Sequence, residues 1–310
     1  LLHSRVGIAS LKGCNFAPET IMLKNMKKIV FAIAVVLGFV SCSTSKEEQT
    51  VPKSENTVQL IRNATLKVDY AGTTFLVDPV FSGKGELMSV LGVNKNPTVH
   101  LTMPIDSIMS GVKFVLATHS HFDHFDKPAS VAIGKDITLY VQPADSVFFL
   151  NEFGMNNTEI IAESKTIDGL SIYRTGGEHG KGKIKELMGN VSGFVLQADG
   201  APTVYIVGDC LWTDEIKANI AKYQPDWVVI NSGGAIIPDL SPEYGTLIMN
   251  EKDVVDMIKD SPDKCRFIAV HMDAIDHCQT TRSILRNEAD NAGISREKLI
   301  IPADGETVEI

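Results

Sequence analysis

The sequence predicts an α/β (α+β) domain in which two β-sheets pack face to face and helices cover their outer sides. Three observations point there. Short apolar extended segments dominate the first half of the body, and strands alternate with helical stretches in the second; two sheets with external helices satisfy that order. The chain has 310 residues, 44% hydrophobic and 22% charged, enough for a sizeable core. No Pro/Gly/Ser-rich break divides residues 57–310, which therefore read as one domain.

The elements follow in order. Extended segments at 58–62, 65–70 and 73–78 open the body, with Ala71-Gly72 as the turn between the last two. The apolar run 114–117 suits a buried strand. Residues 127–133 read as a helix, 137–141 as a strand, and 143–153 as a second helix with proline in its first turn. Strands are expected at 158–162, 170–174, 192–197 and 203–207, then a helix at 214–222 and a strand at 227–230. A long loop through Pro242 leads to a helix at 251–260 and a strand at 266–270. The helix 280–292 and the strand 299–301 close the chain.

The N-terminal part carries no such pattern. Lys27 and Lys28 precede an uncharged, mostly apolar run at 29–40. As a helix that run spans about 18 Å at ~1.5 Å per residue, short of a ~30 Å bilayer core. A charged start, a short apolar centre and the small Ser41 before Cys42 describe a secretory signal. The cut site resembles a bacterial lipoprotein lipobox. That implies export, a lipid on Cys42 and anchoring to the bacterial cell envelope, on its periplasmic or surface face. The alternative is a plain signal with an incidental cysteine; the polar stretch that follows favours the anchor. Residues 1–41 are thus read as leader and signal, 42–56 as a flexible tether, and 57–310 as the functional domain.

Charge narrows the partners. The net charge is −9, and the first 41 residues hold five basic and one acidic side chain, so the remainder carries −13. Such a body repels phosphate backbones, which disfavours a nucleic-acid substrate. Metal ions could still make the field locally positive. The five cysteines (Cys14, Cys42, Cys210, Cys265 and Cys278) form no CxxC pair, so neither a zinc ribbon nor a disulfide framework is expected.

The chemistry concentrates in Thr118-His-Ser-His-Phe-Asp-His124. Imidazole nitrogen and carboxylate oxygen are the donors zinc takes. In an extended stretch His119 and His121 point the same way and can share one ion; Asp123 and His124, where the chain turns, can face a second. Further candidates lie at strand ends or in a glycine-rich loop: His179 in Gly-Gly-Glu-His-Gly, Asp209 after Val-Tyr-Ile-Val-Gly, and His271 after Phe-Ile-Ala-Val. Each alone has an ordinary explanation, as loop residue, helix cap or strand-end histidine. Their joint occurrence after an HxHxDH run favours a site.

With these motifs the sequence resembles the metallo-β-lactamase superfamily, in particular the branch that holds ascorbate-6-phosphate lactonase and N-acyl-phosphatidylethanolamine phospholipase D. The resemblance covers about residues 57–310. It includes Asp78-Pro79, the 118–124 run, Gly176-Gly-Glu-His179, Gly208-Asp209, Asn231-Ser-Gly-Gly234 and His271-Met-Asp-Ala-Ile-Asp-His277. It implies a four-layer αββα sandwich with a dinuclear site along one edge of the sheets. It assigns His119, His121 and His179 to a first metal, Asp123, His124 and His271 to a second, and Asp209 to both. Asp78 is either the acceptor that orients a ligand histidine or a turn cap before Pro79. Zinc is the foremost ion; manganese and iron also accept such donors. His121 stands where the di-iron flavoprotein branch has glutamate, and Asp209 where zinc β-lactamases use cysteine. The first departure disfavours oxygen or nitric-oxide reduction; the second, with His124 standing where many zinc β-lactamases place a non-ligand, favours ester, lactone or phosphodiester hydrolysis over antibiotic cleavage, with Cys210 a small buried neighbour.

The expected reaction uses a water activated between two ions, positioned by Asp123 and Asp209. No GxSxG elbow competes. His277 is expected to face the cleft as a donor to the oxyanion or leaving group. Leu87, Met88, Val90 and Leu91 form either an apolar flap admitting lipid-like or other small-molecule substrates, or ordinary core. The rival functions are a non-catalytic, lipid-anchored metal sensor and a nuclease of the same fold.

Overall fold

The computed structural model describes residues 56–310. The expected leader and signal, the lipid acceptor Cys42 and the tether through residue 55 lie outside the described residues. Asn56, read as the tether's last residue, belongs to the domain: it is buried, and its side-chain carbonyl accepts from the Ala71 amide at 2.8 Å.

Strands, numbered in chain order, form two seven-stranded sheets. The first runs β14 (Thr307–Glu309), β1 (Thr57–Arg62), β2 (Thr65–Tyr70), β3 (Thr73–Val77), β4 (Phe114–Leu116), β5 (Thr138–Val141), β6 (Thr158–Ile160). The second runs β13 (Leu299–Ile300), β12 (Arg266–Val270), β11 (Trp227–Asn231), β10 (Val204–Ile206), β9 (Gly193–Gln197), β8 (Leu170–Thr175), β7 (Ser164–Ile167). Helices α1 (Ile105–Met109), α2 (Lys127–Ile133) and α3 (Ser146–Phe153) cover the first sheet. Helices α5 (Asp214–Tyr223), α7 (Glu251–Asp260) and α8 (Arg282–Asn291) cover the second. The short helices α4 (Lys183–Met188) and α6 (Ser241–Tyr244) pack on each other through Ile184, Leu240 and Tyr244. The architecture is the four-layer αββα sandwich.

Strand periodicity produces these layers, because successive side chains point to opposite faces. In β3 and β4, Phe75, Val77, Phe114 and Leu116 enter the core between the sheets, while Leu76 and Val115 face the helices. In β11 and β12, Trp227, Val229, Ile268 and Val270 face the other sheet, and Val228, Ile230, Phe267 and Ala269 face α5, α7 and α8. Burial on both faces explains why these strands read as continuous apolar runs.

Parallel pairing then sets the site. β3 through β6 pair in parallel, as do β10 through β13. The C-terminal ends of parallel strands leave the sheet at one edge, where the following residues can converge. Asp78 follows β3, the 117–124 segment follows β4, Asp209 comes shortly after β10, Asn231 ends β11 and His271 follows β12.

Several expectations need correction. The segment 143–153 is a 3₁₀ turn, Pro143–Asp145, before α3, because the proline-led turn tightens the entry. The helix expected from 280 begins at Arg282, with Thr281 capping the Ile284 amide. The loop through Pro242 contains α6. Strands β7 and β14 and helices α1 and α4 were not expected. β7 reads Ser-Lys-Thr-Ile and β14 Thr-Val-Glu; both are edge strands, too short and polar to show periodicity.

Candidate metal centre

Four buried histidines (His119, His124, His179 and His271) each turn one nitrogen to a neighbouring side chain or carbonyl and the other inward. The Thr118 hydroxyl donates to Asp78 at 2.7 Å, so it accepts from His119 Nδ1 at 3.0 Å. His124 Nδ1 donates to Asp78 at 2.8 Å, and His179 Nδ1 to the Leu247 carbonyl at 3.0 Å. His271 Nδ1 faces the Cys278 sulfur at 3.5 Å. The free nitrogens meet: His119 Nε2 lies 2.9 Å from His121 Nδ1, and His124 Nε2 lies 3.1 Å from His271 Nε2. Asp78 is therefore an orienting acceptor, and its other oxygen receives the Thr118 amide just beyond β4.

The carboxylates complete the set. Asp209 Oδ1 accepts from Asn231 at 2.6 Å, while Oδ2 faces His124 at 3.2 Å, His179 at 3.5 Å and His271 at 3.6 Å. Asp123 Oδ2 lies 3.3 Å from His271 Nε2. Three groups of donor atoms cluster tightly: His119, His121 and His179; Asp123, His124 and His271; and His119, His124 and Asp209. An ion with ~2.0–2.1 Å bonds spaces tetrahedral donors ~3.3 Å apart. The contacts above bracket that spacing, so the residues fit divalent metal. All seven expected side chains come together; His277, the eighth, lines the adjoining cavity.

Electrostatics agrees. Burial opposes a charged His124, yet Asp209, Asp123 and Asp78 outweigh it and lift its pKa to about 10. His271 is likewise raised despite burial, chiefly by Asp209. Burial raises neither carboxylate in the end: His124 and His271 hold Asp123 and Asp209 well below the usual range. Burial drives His179 down to about 4 and lowers His119 and His121. The two buried carboxylates thus favour positive charge at the cluster, which bound cations would supply.

The backbone is shaped for this. His271 has φ +65°, a left-handed conformation that costs about 1–3 kcal/mol outside glycine and concentrates at functional sites. It turns the chain out of β12 directly at the ligand, and its amide bonds the Asn63 carbonyl at 2.9 Å. Gly208 has φ +74°, and a Cβ there would lie 2.6 Å from the Ser192 carbonyl, so only glycine lets Asp209 approach. A Cβ on Gly177 would lie 2.0 Å from the Cys210 sulfur. Cys210 is accordingly a small buried spacer beneath the His179 loop, outside the donor groups.

Sequence reasoning missed two polar partners. Asn63 Nδ2 donates to the Asp123 carbonyl at 3.2 Å, and Asn231 fixes Asp209. Asn231 carried a signal, being a polar residue ending an apolar strand; Asn63 sits in a turn where asparagine is ordinary. Replacing Asp78 with Asn is expected to weaken zinc affinity about 10–100-fold, read by competition with a chromophoric chelator. Unchanged affinity would leave Asp78 only a turn residue.

A cavity of about 240 Å³ opens beside the cluster, walled by Val90, Phe122, Met188, Ile237, Leu247 and His277. Among the described residues no lysine or arginine lines it.

The comparisons with known proteins agree with this geometry. The family model described as "Beta-lactamase superfamily domain" matches residues 73–272. The chain belongs to that superfamily. It is 35% identical over 252 residues to the UPF0173 protein YddR of Bacillus subtilis, covering 80% of this chain and 97% of that one. A UPF0173 metal-dependent hydrolase of Azorhizobium caulinodans is 25% identical over 60% of this chain and 75% of its own. Among solved structures, a protein of Veillonella parvula described as "a possible metal-dependent hydrolase" superposes with TM-score 0.78 at 31% identity, covering 83% of this chain and all of that one. An isothiocyanate hydrolase from Delia radicum gut bacteria gives TM-score 0.76 at 34% identity, over 82% and 99%. This superfamily member is a metal-dependent hydrolase, and the His/Asp cluster is where it can hold metal.

Proposed function

We propose that the cluster holds two divalent ions, zinc foremost, and that the enzyme hydrolyses a small, uncharged, apolar electrophile. The cavity carries this reading: its walls are apolar, and no cationic side chain awaits a phosphate. An isothiocyanate is the first candidate, because the Delia radicum bacterial relative is named for that activity. A lactone or carboxylic ester comes next, and a phosphodiester last. Two ions, when bound, supply a water acidified toward pKa ~7 and polarise the electrophile.

The chain's own groups do the rest. His119, His121 and His179 would hold one ion, Asp123, His124 and His271 the other, and Asp209 would touch both. Asn231 keeps one Asp209 oxygen engaged, so the other stays aimed at the centre. Phe122, Ile237 and Leu247 exclude bulk water from the apolar substituent. His277 is buried in the cavity wall, its Nδ1 has no hydrogen-bond partner among the described residues and lies 3.6 Å from Asp276 Oδ1, and burial lowers its pKa. It would pass a proton to the leaving nitrogen or oxygen. For an isothiocyanate, water adds at the central carbon, the C–N bond breaks, and amine and carbonyl sulfide leave.

Zinc-reconstituted protein assayed on benzyl isothiocyanate, a γ-lactone, a phenyl ester and bis(nitrophenyl) phosphate tests the reading. Preference for the phosphodiester would overturn it, and no turnover at all would favour a metal sensor. His277→Ala is expected to cut kcat by about 10²–10⁴-fold with metal content unchanged. A kcat equal to the parent's would remove His277 from the chemistry.

A further inference from the structure

One buried carboxylate near the cavity is not explained by metal binding. The Asp276 side chain is 1% exposed, yet among the described residues no lysine or arginine pairs with it, and its one ionisable neighbour is His277 Nδ1, 3.6 Å from Oδ1. Its donors come from a single loop. Oδ1 accepts from the Val90 amide at 3.2 Å and from Asn96 Nδ2 at 3.0 Å; Oδ2 accepts from the Leu91 amide at 3.1 Å and from the Ser89 hydroxyl. The Asp276 amide returns a bond to the Asn96 side-chain carbonyl at 2.8 Å, and Asn96 Nδ2 also reaches the Met88 carbonyl at 2.9 Å. An isolated bridge between Leu87 and Asn96 closes the loop on itself.

This loop has little else to hold it. Met88 is 67% and Val93 73% exposed, so the tip inserts no large anchor into the core. Asn96 is fully buried at the loop's base, and of the half-buried Leu87, Val90 and Leu91 it is Val90 that forms part of the cavity wall. Asp276 directly precedes His277, another wall residue. A charged acceptor with four donors is a strong clasp, and exchanging one of its oxygens for an amide nitrogen leaves two of those donors without an acceptor.

We infer that Asp276 is a latch that pins the 87–96 loop across the cavity mouth and so sets the size of substrate admitted. Asp276 is a positioning residue: it acts through Val90 and touches no reacting atom. The proposal rests on the reading that this cavity takes the substrate, but its test does not require turnover.

Asp276→Asn, which keeps the shape but offers one acceptor oxygen, is the decisive variant; Ser89→Ala, which removes a single donor outside the core, guards against misfolding. Hydrogen exchange on the metal-loaded protein is expected to accelerate at least about tenfold at Val90 and Leu91 in Asp276→Asn, with β11 and β12 unchanged. Thiolate binding to the cobalt-loaded protein, followed by its charge-transfer absorption, reads size selection. The affinity ratio of naphthalenemethanethiol to 2-mercaptoethanol is expected to rise at least about fivefold in Asp276→Asn and to a smaller extent in Ser89→Ala. Val90→Ala is expected to raise the ratio without altering exchange. Unchanged exchange in Asp276→Asn, or an unchanged ratio with accelerated exchange, overturns the latch. If the parent binds thiols but hydrolyses nothing in the substrate panel, the proposed reaction falls, while exchange and the thiol ratio still decide the role of Asp276.

Discussion

Asp209→Ala is expected to reduce turnover by at least about 10³-fold, equivalent to ~4 kcal/mol of barrier, and to drop bound zinc from about two ions per chain to one or fewer. The reason is positional. One Asp209 oxygen faces His124, His179 and His271 at 3.2 to 3.6 Å, so it borders both proposed ion positions at once. Its loss leaves Asp123 as the carboxylate facing His124 Nε2 and His271 Nε2 and opens a gap at the centre. Asp209→Asn separates charge from shape: it fills the same space and is expected to lose nearly as much. Elemental analysis and kcat on the same preparation decide the matter. Parental metal content in Asp209→Ala would overturn the shared-ligand assignment.

Stripping metal is the second large effect. A ligand that binds only the folded state stabilises it by ~4.1 kcal/mol at 1,000 times its dissociation constant. For a domain of this size that is a fall in Tm of about 8–16 °C on chelation. The size follows from where the donors originate: His119, His121 and His124 follow a strand of the first sheet, and His179, Asp209 and His271 follow strands of the second. Ions between them cross-link the two halves. Dialysis against dipicolinate should therefore abolish turnover and lower Tm, and added zinc should restore both. A Tm indifferent to chelation would overturn metal as a cross-link between the two sheets.

The donors were legible because their residue types are rare together and each follows an apolar run that could be read as a strand. β2, α2, α7 and β12 were legible to the residue: β2 alternates up to the Ala71-Gly72 turn, β12 is an unbroken apolar run after Arg266, and the helical stretches are bounded by polar segments. Sheet order was not legible: Thr307–Glu309 pairs with β1 from the far end of the chain, and no local pattern encodes that. Nor was the left-handed turn at His271, because φ depends on what the following loop must reach. Asp276 was invisible for a related reason. An aspartate in a polar loop is ordinary until four donors from a segment 180 or more residues away are found around it. Asp78 was ambiguous in sequence because a turn cap and an imidazole acceptor require the same residue; here the carboxylate accepts from His124 and Thr118.

The donors ride on strand termini, whereas much of the cavity wall comes from connecting segments such as 87–96 and 235–247. Reactivity and selectivity are thereby lodged on different stretches of backbone. Grafting those connections from one homologue onto another should transplant preference for the organic group while the host's ion chemistry survives, which makes this scaffold a favourable starting point for altering what it cleaves.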